Sequence, residues 1–301
     1  MSATVVCTGI AVLDQVWELP ALPTSPGKYL AGGLRVTGGG MAATAAVAVA
    51  SLGGTAHWCG RLGADETGEA LLSDLRRHGV GTASVTVAPK GRTPSSGVLV
   101  DAHGERILAV FPGSGLPEDA PVPAGLVEEA GAVLADPRWV EGAERLFDLA
   151  AARGLPRVLD ADIAPREILH RLVEQADHVI FSQRGLVDFT SASDPVESLA
   201  IAARTAPGTF AVTLGAEGSL WWRVGRAQHL PAPRVKARDT TGCGDVFHGG
   251  YALGLAEGMN PLEAARFASA VAALKGVRAC GWNGMPDRLA VEAMLAHGAT
   301  R

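Results

Sequence analysis

The sequence predicts an α/β fold, a mostly parallel central sheet flanked by helices with a small β lid. Three observations predict it. Apolar strand-like runs alternate with Ala/Leu-rich helical segments. Two segments rich in turns and alternating residues, 12–37 and 93–113, interrupt that rhythm. Glycine-rich turns open helices near residues 40 and 242. A chain of 301 residues with 48% hydrophobic content can bury one large core, so a single domain over 1–301 is expected.

Taken in order, residues 5–10 predict the first strand, 41–52 a helix, 56–61 a strand and 66–78 a helix. Later strands are expected at 132–135, 157–160, 178–181 and 209–213, with their C-terminal ends lining the active site. In the second lid segment, 96–101 and 105–111 flank Ala-His-Gly, which suits a hairpin. Asn260-Pro261-Leu262-Glu263 supplies an N-cap, a proline at the first helical position and a glutamate at the third. Lys275 and Gly276 are expected to end that helix, a cation in the last turn and a glycine after it.

Composition narrows the function classes. The net charge is −5 and the lysines and arginines are scattered, which argues against a nucleic-acid surface or a polybasic membrane contact and for a small-molecule partner. The N-terminal residues carry no basic stretch ahead of an apolar one, so they read as a strand and not a signal peptide. No apolar run approaches the ~18 residues that span a bilayer. Cys7, Cys59, Cys243 and Cys280 are widely spaced with no Cys-x-x-Cys pattern, the usage of reduced thiols in a cytoplasmic protein.

The chemistry concentrates at residues 239–250, Asp-Thr-Thr-Gly-Cys-Gly-Asp-Val-Phe-His-Gly-Gly. Backbone amides of Gly242, Cys243 and Gly244 at a helix N-terminus form a nest for phosphate oxygens, and the macrodipole adds partial positive charge. Asp245 beside that nest can take a proton from an attacking hydroxyl while the nest holds the charge that spreads over the moving phosphoryl group. A second glycine turn, Gly38-Gly39-Gly40, opens a helix of small residues, where tight packing and close approach of a ligand are equally good explanations.

Asp239 through Asp245 resembles the C-terminal signature of the ribokinase-like, or PfkB, sugar kinases, with Cys243 where alanine is usual. The resemblance runs over nearly the whole chain and implies the ribokinase-like fold, ATP with Mg²⁺, and Asp245 as catalytic base. By the same resemblance Asp14 accepts from two sugar hydroxyls, Gly38 and Gly39 lie against the sugar, and Thr213, Gly215, Gly218 and Ser269 contact the nucleotide. A K⁺ site near Asp239 and Thr241 is implied, with Lys275 in the corresponding region. The lid is expected to cover the sugar and to pair with that of a second subunit as a homodimer. Residues 182–185 read Ser-Gln-Arg-Gly where the family has Asn-x-x-Glu, and Asp160 and Asp162 are further candidates for metal or substrate contacts.

Lys28 and Arg138, on segments expected to flank the sugar, suggest an anionic acceptor. Stretches such as Ser-Pro-Gly-Lys-Tyr and Ala-Asp-Pro-Arg-Trp are similar to 6-deoxy-6-sulfofructose kinases, which phosphorylate the C1 hydroxyl of a sulfonated ketose; Val110 stands where an asparagine contact to the sulfonate is expected. A kinase for ribose, a nucleoside, fructose or a sugar phosphate stays open, as does a sugar-binding sensor without catalysis.

Overall fold

The computed structural model describes residues 2–103, 105–278 and 281–298; Gly104 of the expected hairpin turn and the thiol of Cys280 lie outside them. The chain begins with β1 (Thr4–Thr8), β2 (Val12–Glu18), β3 (Gly33–Gly39) and α1 (Met41–Ser51). It continues through β4 (Thr55–Cys59), β5 (Arg61–Gly63), α2 (Glu66–Arg77), β6 (Val80–Gly81), β7 (Thr86–Ala88), β8 (Ser95–Val100) and β9 (Arg106–Phe111). Next come β10 (Ala132–Ala135), α3 (Val140–Ala151), β11 (Arg157–Ala161), α4 (Arg166–Val173), β12 (His178–Ser182), α5 (Gln183–Thr190) and α6 (Pro195–Ala202). The C-terminal third holds β13 (Thr209–Thr213), β14 (Ser219–Arg223), β15 (Arg226–Leu230), α7 (Cys243–Ala256), α8 (Pro261–Arg278) and α9 (Arg288–Gly298).

Nine strands form one sheet in the order β15-β14-β13-β12-β11-β10-β1-β4-β6, parallel except where β14 and β15 join antiparallel. Alternate residues of the central strands feed two cores. Val5, Cys7 and Leu134 pack on one face with α1, α7 and α8, whereas Val6, Val133 and Ala135 pack on the other with α3 to α6. Strand order reverses between β1 and β10, so the crevice of this sheet opens at their C-terminal ends.

The two segments that broke the rhythm join as one four-stranded sheet, β3-β2-β8-β9, with the expected β8–β9 hairpin pairing antiparallel. The expected first strand is shorter at its end, because β1 stops at Thr8 and Gly9 turns the chain at φ 149°. The expected strand 56–61 divides: β4 ends at Cys59 and β5 pairs with β7 in a separate small sheet. Gly38 and Gly39 complete β3 and do not form a turn; the change of direction falls on Gly40 alone, at φ 91°.

The helix expected to close near Lys275 and Gly276 runs on to Arg278. Gly276 is buried inside it, and its carbonyl accepts from the amides of Arg238 (2.8 Å) and Asp239 (3.1 Å). The start of α8 matches expectation: Asn260 Oδ1 accepts from the amides of Leu262 (3.1 Å) and Glu263 (3.2 Å), while Glu263 Oε2 accepts from the Asn260 amide (3.0 Å). That reciprocal cap is worth about 1 kcal/mol, so Asn260→Ala is expected to lower the unfolding free energy by that amount, read in a urea titration as a lower midpoint with the slope unchanged.

Candidate active site

A cleft of about 1090 Å³ opens between the lid and the C-terminal edge of the large sheet. Its floor is built from two helix N-termini. Gly242 caps α7 at φ 73° and Gly40 caps α1, and a Cβ at Gly242 would lie 3.4 Å from Thr44 Cγ2, so the two starts sit side by side. Small residues permit this: a Cβ at Gly249 of α7 would meet the Ala45 carbonyl of α1 at 2.4 Å. Gly40 cannot cap α1 with a side chain, and buried Asp136 supplies the acceptor from the end of β10. Its Oδ2 accepts from the amides of Ile10 (2.9 Å) and Ala42 (3.0 Å), and its Oδ1 from that of Arg138 (2.8 Å). Burial pushes Asp136 up to about 6, against those three hydrogen bonds.

Asp245 lies half-buried in the first turn of α7. Burial and then the neighbouring Asp160, with smaller contributions from Asp162 and Asp136, push its carboxyl far above the ordinary carboxylate range, while His248 pulls the other way. A carboxylate poised nearer neutrality is a better proton acceptor for a sugar hydroxyl. His248, one turn on, is held in place behind it: Nδ1 lies 2.8 Å from the Gly244 carbonyl and 3.3 Å from Asp160 Oδ2, and Nε2 lies 3.1 Å from the Ile180 carbonyl.

The expected phosphate nest is altered in one member. The Cys243 amide closes a turn onto the Thr240 carbonyl at 3.2 Å, whereas the amides of Gly242, Gly244 and Asp245 donate to no described group. Free helix-start amides therefore come from 242, 244 and 245. Burial pushes the Cys243 thiol up to about 11, so it stays protonated and fills space.

On the sugar side Asp14 projects from β2 into the cleft, with Ser96 Oγ donating to its Oδ1 at 2.5 Å. Burial raises Asp14, opposed by Ser96 and by the charge of Arg35. A Cβ at Gly39 would overlap Asp14 Oδ2 and one at Gly38 would overlap the Trp282 ring, so these glycines leave the room that the carboxylate and the ring occupy. Trp282 Nε1 donates to Thr44 Oγ1 at 2.9 Å and closes the wall.

Lys28 and Arg138 stand elsewhere. Lys28 is exposed in the loop between β2 and β3 and does not line the cleft. Arg138 faces Asp162 at 3.6 Å behind the floor. Val110 shares the row Asp14–Ser96–Val110 across the lid by register but is exposed and outside the lining. The cations in the cleft wall are instead Arg35, Arg106 and Arg238, with Lys275. Arg106 Nη1 donates to Thr241 Oγ1 at 2.9 Å, and Arg35 Nη2 lies 3.8 Å from Asp239 Oδ2 while its Nε is buried without a hydrogen-bond partner. Asp239 Oδ1 accepts from the Thr241 amide at 2.9 Å.

Thr213, Gly215 and Gly218 lie at the C-terminal end of β13 and in the turn after it, on the same sheet edge but outside the cleft lining; Ser269 is buried in α8. Ser182 ends β12, caps α5 through the Gly185 amide (3.0 Å) and donates to Asp162 Oδ1 (2.8 Å). Sequence reasoning passed over Arg35, Arg106, Thr44, Trp282, Asp136 and His248. Only His248 carried a local signal, three residues after Asp245 and so on the same helix face.

The chain that carries this arrangement matches a known family over almost its whole length. Residues 2–278 match the pfkB family carbohydrate kinases. The chain belongs to that family. It is 31% identical to a fructokinase of Klebsiella pneumoniae over 85% of each chain. A crystal structure of an Agrobacterium tumefaciens protein assigned to the ribokinases superposes with a TM-score of 0.96 at 35% identity over all of both chains. The Arabidopsis thaliana ribokinase complexed with ribose and ATP superposes with a TM-score of 0.86 at 25% identity, over 98% of this chain and 99% of the other. The fold is ribokinase-like, and among the described residues no helix of this kinase is long and apolar enough to cross a membrane.

The raised carboxyl of Asp245 has a consequence for stability. Its folded pKa exceeds its unfolded one, so the stability it contributes is full below the ordinary carboxylate range and is lost as pH rises toward the raised value. Asp245→Asn is expected to melt at a higher temperature than the parent at neutral pH, with the gap closing as the pH is taken below the ordinary carboxylate range in a calorimetric series.

Proposed function

We propose that this kinase transfers the γ-phosphoryl group of ATP to a primary hydroxyl of a sugar lying between Asp14, Gly38, Gly39 and the lid, with Asp245 as the base. The juxtaposition of Asp245 with the free amides of Gly242 and Gly244 carries the reading. Asp245 takes the hydroxyl proton as the oxygen attacks, and the amides stabilise the charge on the transferred group. The Arabidopsis ribokinase complex with ribose and ATP supports ATP as donor, and Thr213, Gly215, Gly218 and Ser269 are the residues proposed to meet it. A hydrated Mg²⁺ would be carried on the nucleotide phosphates and would neutralise part of their charge; Asp162, which faces Ser182 and Arg138 outside the cleft lining, and Asp160 are the carboxylates proposed to meet it.

The proposed acceptor is an anionic ketose phosphorylated at C1, of which 6-deoxy-6-sulfofructose is one. Support comes from Arg35 and Arg106 in the cleft wall, and from the unpartnered Nε of Arg35, a donor for an oxyanion. A neutral ketose or pentose is the second reading, favoured by the position of Lys28 and Arg138 outside the cleft.

A homodimer through the lid is proposed on its outer face. There Trp17, Leu34, Val36, Leu99, Ile107 and Phe111 share one side of the sheet by register, and Leu34, Val36, Ile107 and Phe111 are exposed.

Asp245→Asn is expected to lower kcat at least 10³-fold with ATP and the best acceptor of a panel of ribose, fructose, fructose 6-phosphate and 6-deoxy-6-sulfofructose. Near-normal turnover would sink the assignment of the base. For the parent enzyme kcat/KM should rise with pH through a pKa above the carboxylate range, since only ionised Asp245 accepts the proton. Arg35→Ala is expected to raise KM about 10- to 100-fold for the anionic acceptors alone; an equal change for ribose and fructose favours the neutral reading. Ile107→Glu is expected to convert a dimer to a monomer in sedimentation, and a parent that already sediments as a monomer removes the dimer.

A further inference from the structure

Lys275 is the one lysine among the fully buried side chains, at 1% exposure, and the phosphoryl-transfer chemistry above leaves it unused. It stands in the last turns of α8 with Nζ 3.3 Å from the Thr241 carbonyl, inside the turn that leads into the N-terminus of α7. A buried ammonium is retained only where oxygens replace its water. One oxygen does so here, the Thr241 carbonyl, and the carboxylate of Asp239 acts on the ammonium from beyond ion-pair distance; burial would raise that carboxylate, but Thr241, Lys275 and Arg35 together hold it below the ordinary range. Gly276, the next residue of α8, binds the same turn from its other end through the amides of Arg238 and Asp239.

Asp239 and Thr241 are also the residues near which the family resemblance implies a potassium site, and they do not fit one. Asp239 Oδ1 already accepts from the Thr241 amide and Oδ2 faces Arg35, while the Thr241 hydroxyl accepts from Arg106 and its carbonyl from Lys275. Each of these oxygens faces a nitrogen, and an added cation would sit against the ammonium of Lys275.

We propose that the ε-ammonium of Lys275 is a built-in cation for the phosphate-binding turn, a positioning residue that shapes residues 239–242 in place of a bound potassium ion. The kinase therefore works without a monovalent cation. The inference rests on the kinase reading for its turnover measurements alone.

In tetramethylammonium buffer the parent enzyme is expected to show the same kcat and the same melting temperature as at equal ionic strength in K⁺; activation or stabilisation by K⁺ overturns the proposal. Lys275→Ala is expected to lose about tenfold or more in kcat in tetramethylammonium, and to regain activity and melting temperature when K⁺ or ammonium fills the vacated place. Lys275→Met, which fills the space without the charge, should lose activity and not regain it. An alanine variant with parental kcat in tetramethylammonium overturns the proposal, and so does a loss that neither K⁺ nor ammonium restores, since that marks Lys275 as packing alone. The parental melting comparison needs neither variant nor turnover, so it tests the built-in cation even if no sugar in the panel is phosphorylated.

Discussion

The active site depends on the close packing of α1 against α7. Two helices can start side by side at one sheet edge only if their backbones approach closely, and Gly249 against Ala45 permits that approach. Both N-termini then direct partial positive charge into a single cleft, and the start of α7 adds free amides, whereas those of Ala42 and Ala43 in α1 are taken by Asp136 and the Ile10 carbonyl. One start stands beside Gly38, Gly39 and Asp14, the proposed acceptor side; the other carries Gly242, Gly244 and Asp245, the proposed phosphoryl-transfer side. Asp136 fixes the geometry from the sheet, since a single buried carboxylate joins the ends of β1 and β10 to the first turn of α1.

The charges around this floor are arranged in two shells of opposite sign. Asp160, Asp162 and Asp136 lie behind Asp245 and oppose its ionisation, which makes it a stronger base when it does ionise. Arg35, Arg106 and Lys275 hold the turn at 239–242 and give the cleft wall its positive charge. The same sheet carries the guanidiniums and the lid's apolar outer face, because β-strands send alternate side chains to opposite sides. Movement of the lid therefore changes the electrostatics of the cleft as well as its access to water.

Much of the fold was legible because its signals are local. Strand β10 and strand β13 fall where the apolar runs placed them, and the capping box at Asn260 and Glu263 is a short-range hydrogen-bond pattern. The errors came where a long-range contact overrode a local one. Gly276 looks like a helix terminator, but its carbonyl serves the 238–239 amides and α8 continues. Gly38 and Gly39 look like a turn, yet they leave room for Trp282 and Asp14 in an extended strand. Lys28 and Arg138 looked like a pair, but Lys28 is exposed in the loop between β2 and β3, Arg138 faces Asp162, and neither lines the cleft.

The sequence by itself determined the chemistry: seven residues from Asp239 to Asp245 specify an anion-binding helix start with a carboxylate in its first turn, because nest, cap and base are all contained in one turn of chain. It also determined the alternating architecture, which hydrophobic period encodes directly. Only the tertiary structure decided which cations reach the site. Arg35, Arg106 and Lys275 come from two lid strands and a C-terminal helix, and no spacing along the chain brings a charge on β3 or β9 to a turn more than a hundred residues away. The side of the strand that each residue faces, and the small-residue contacts that bring helices together, exist only once the sheet has closed over its core.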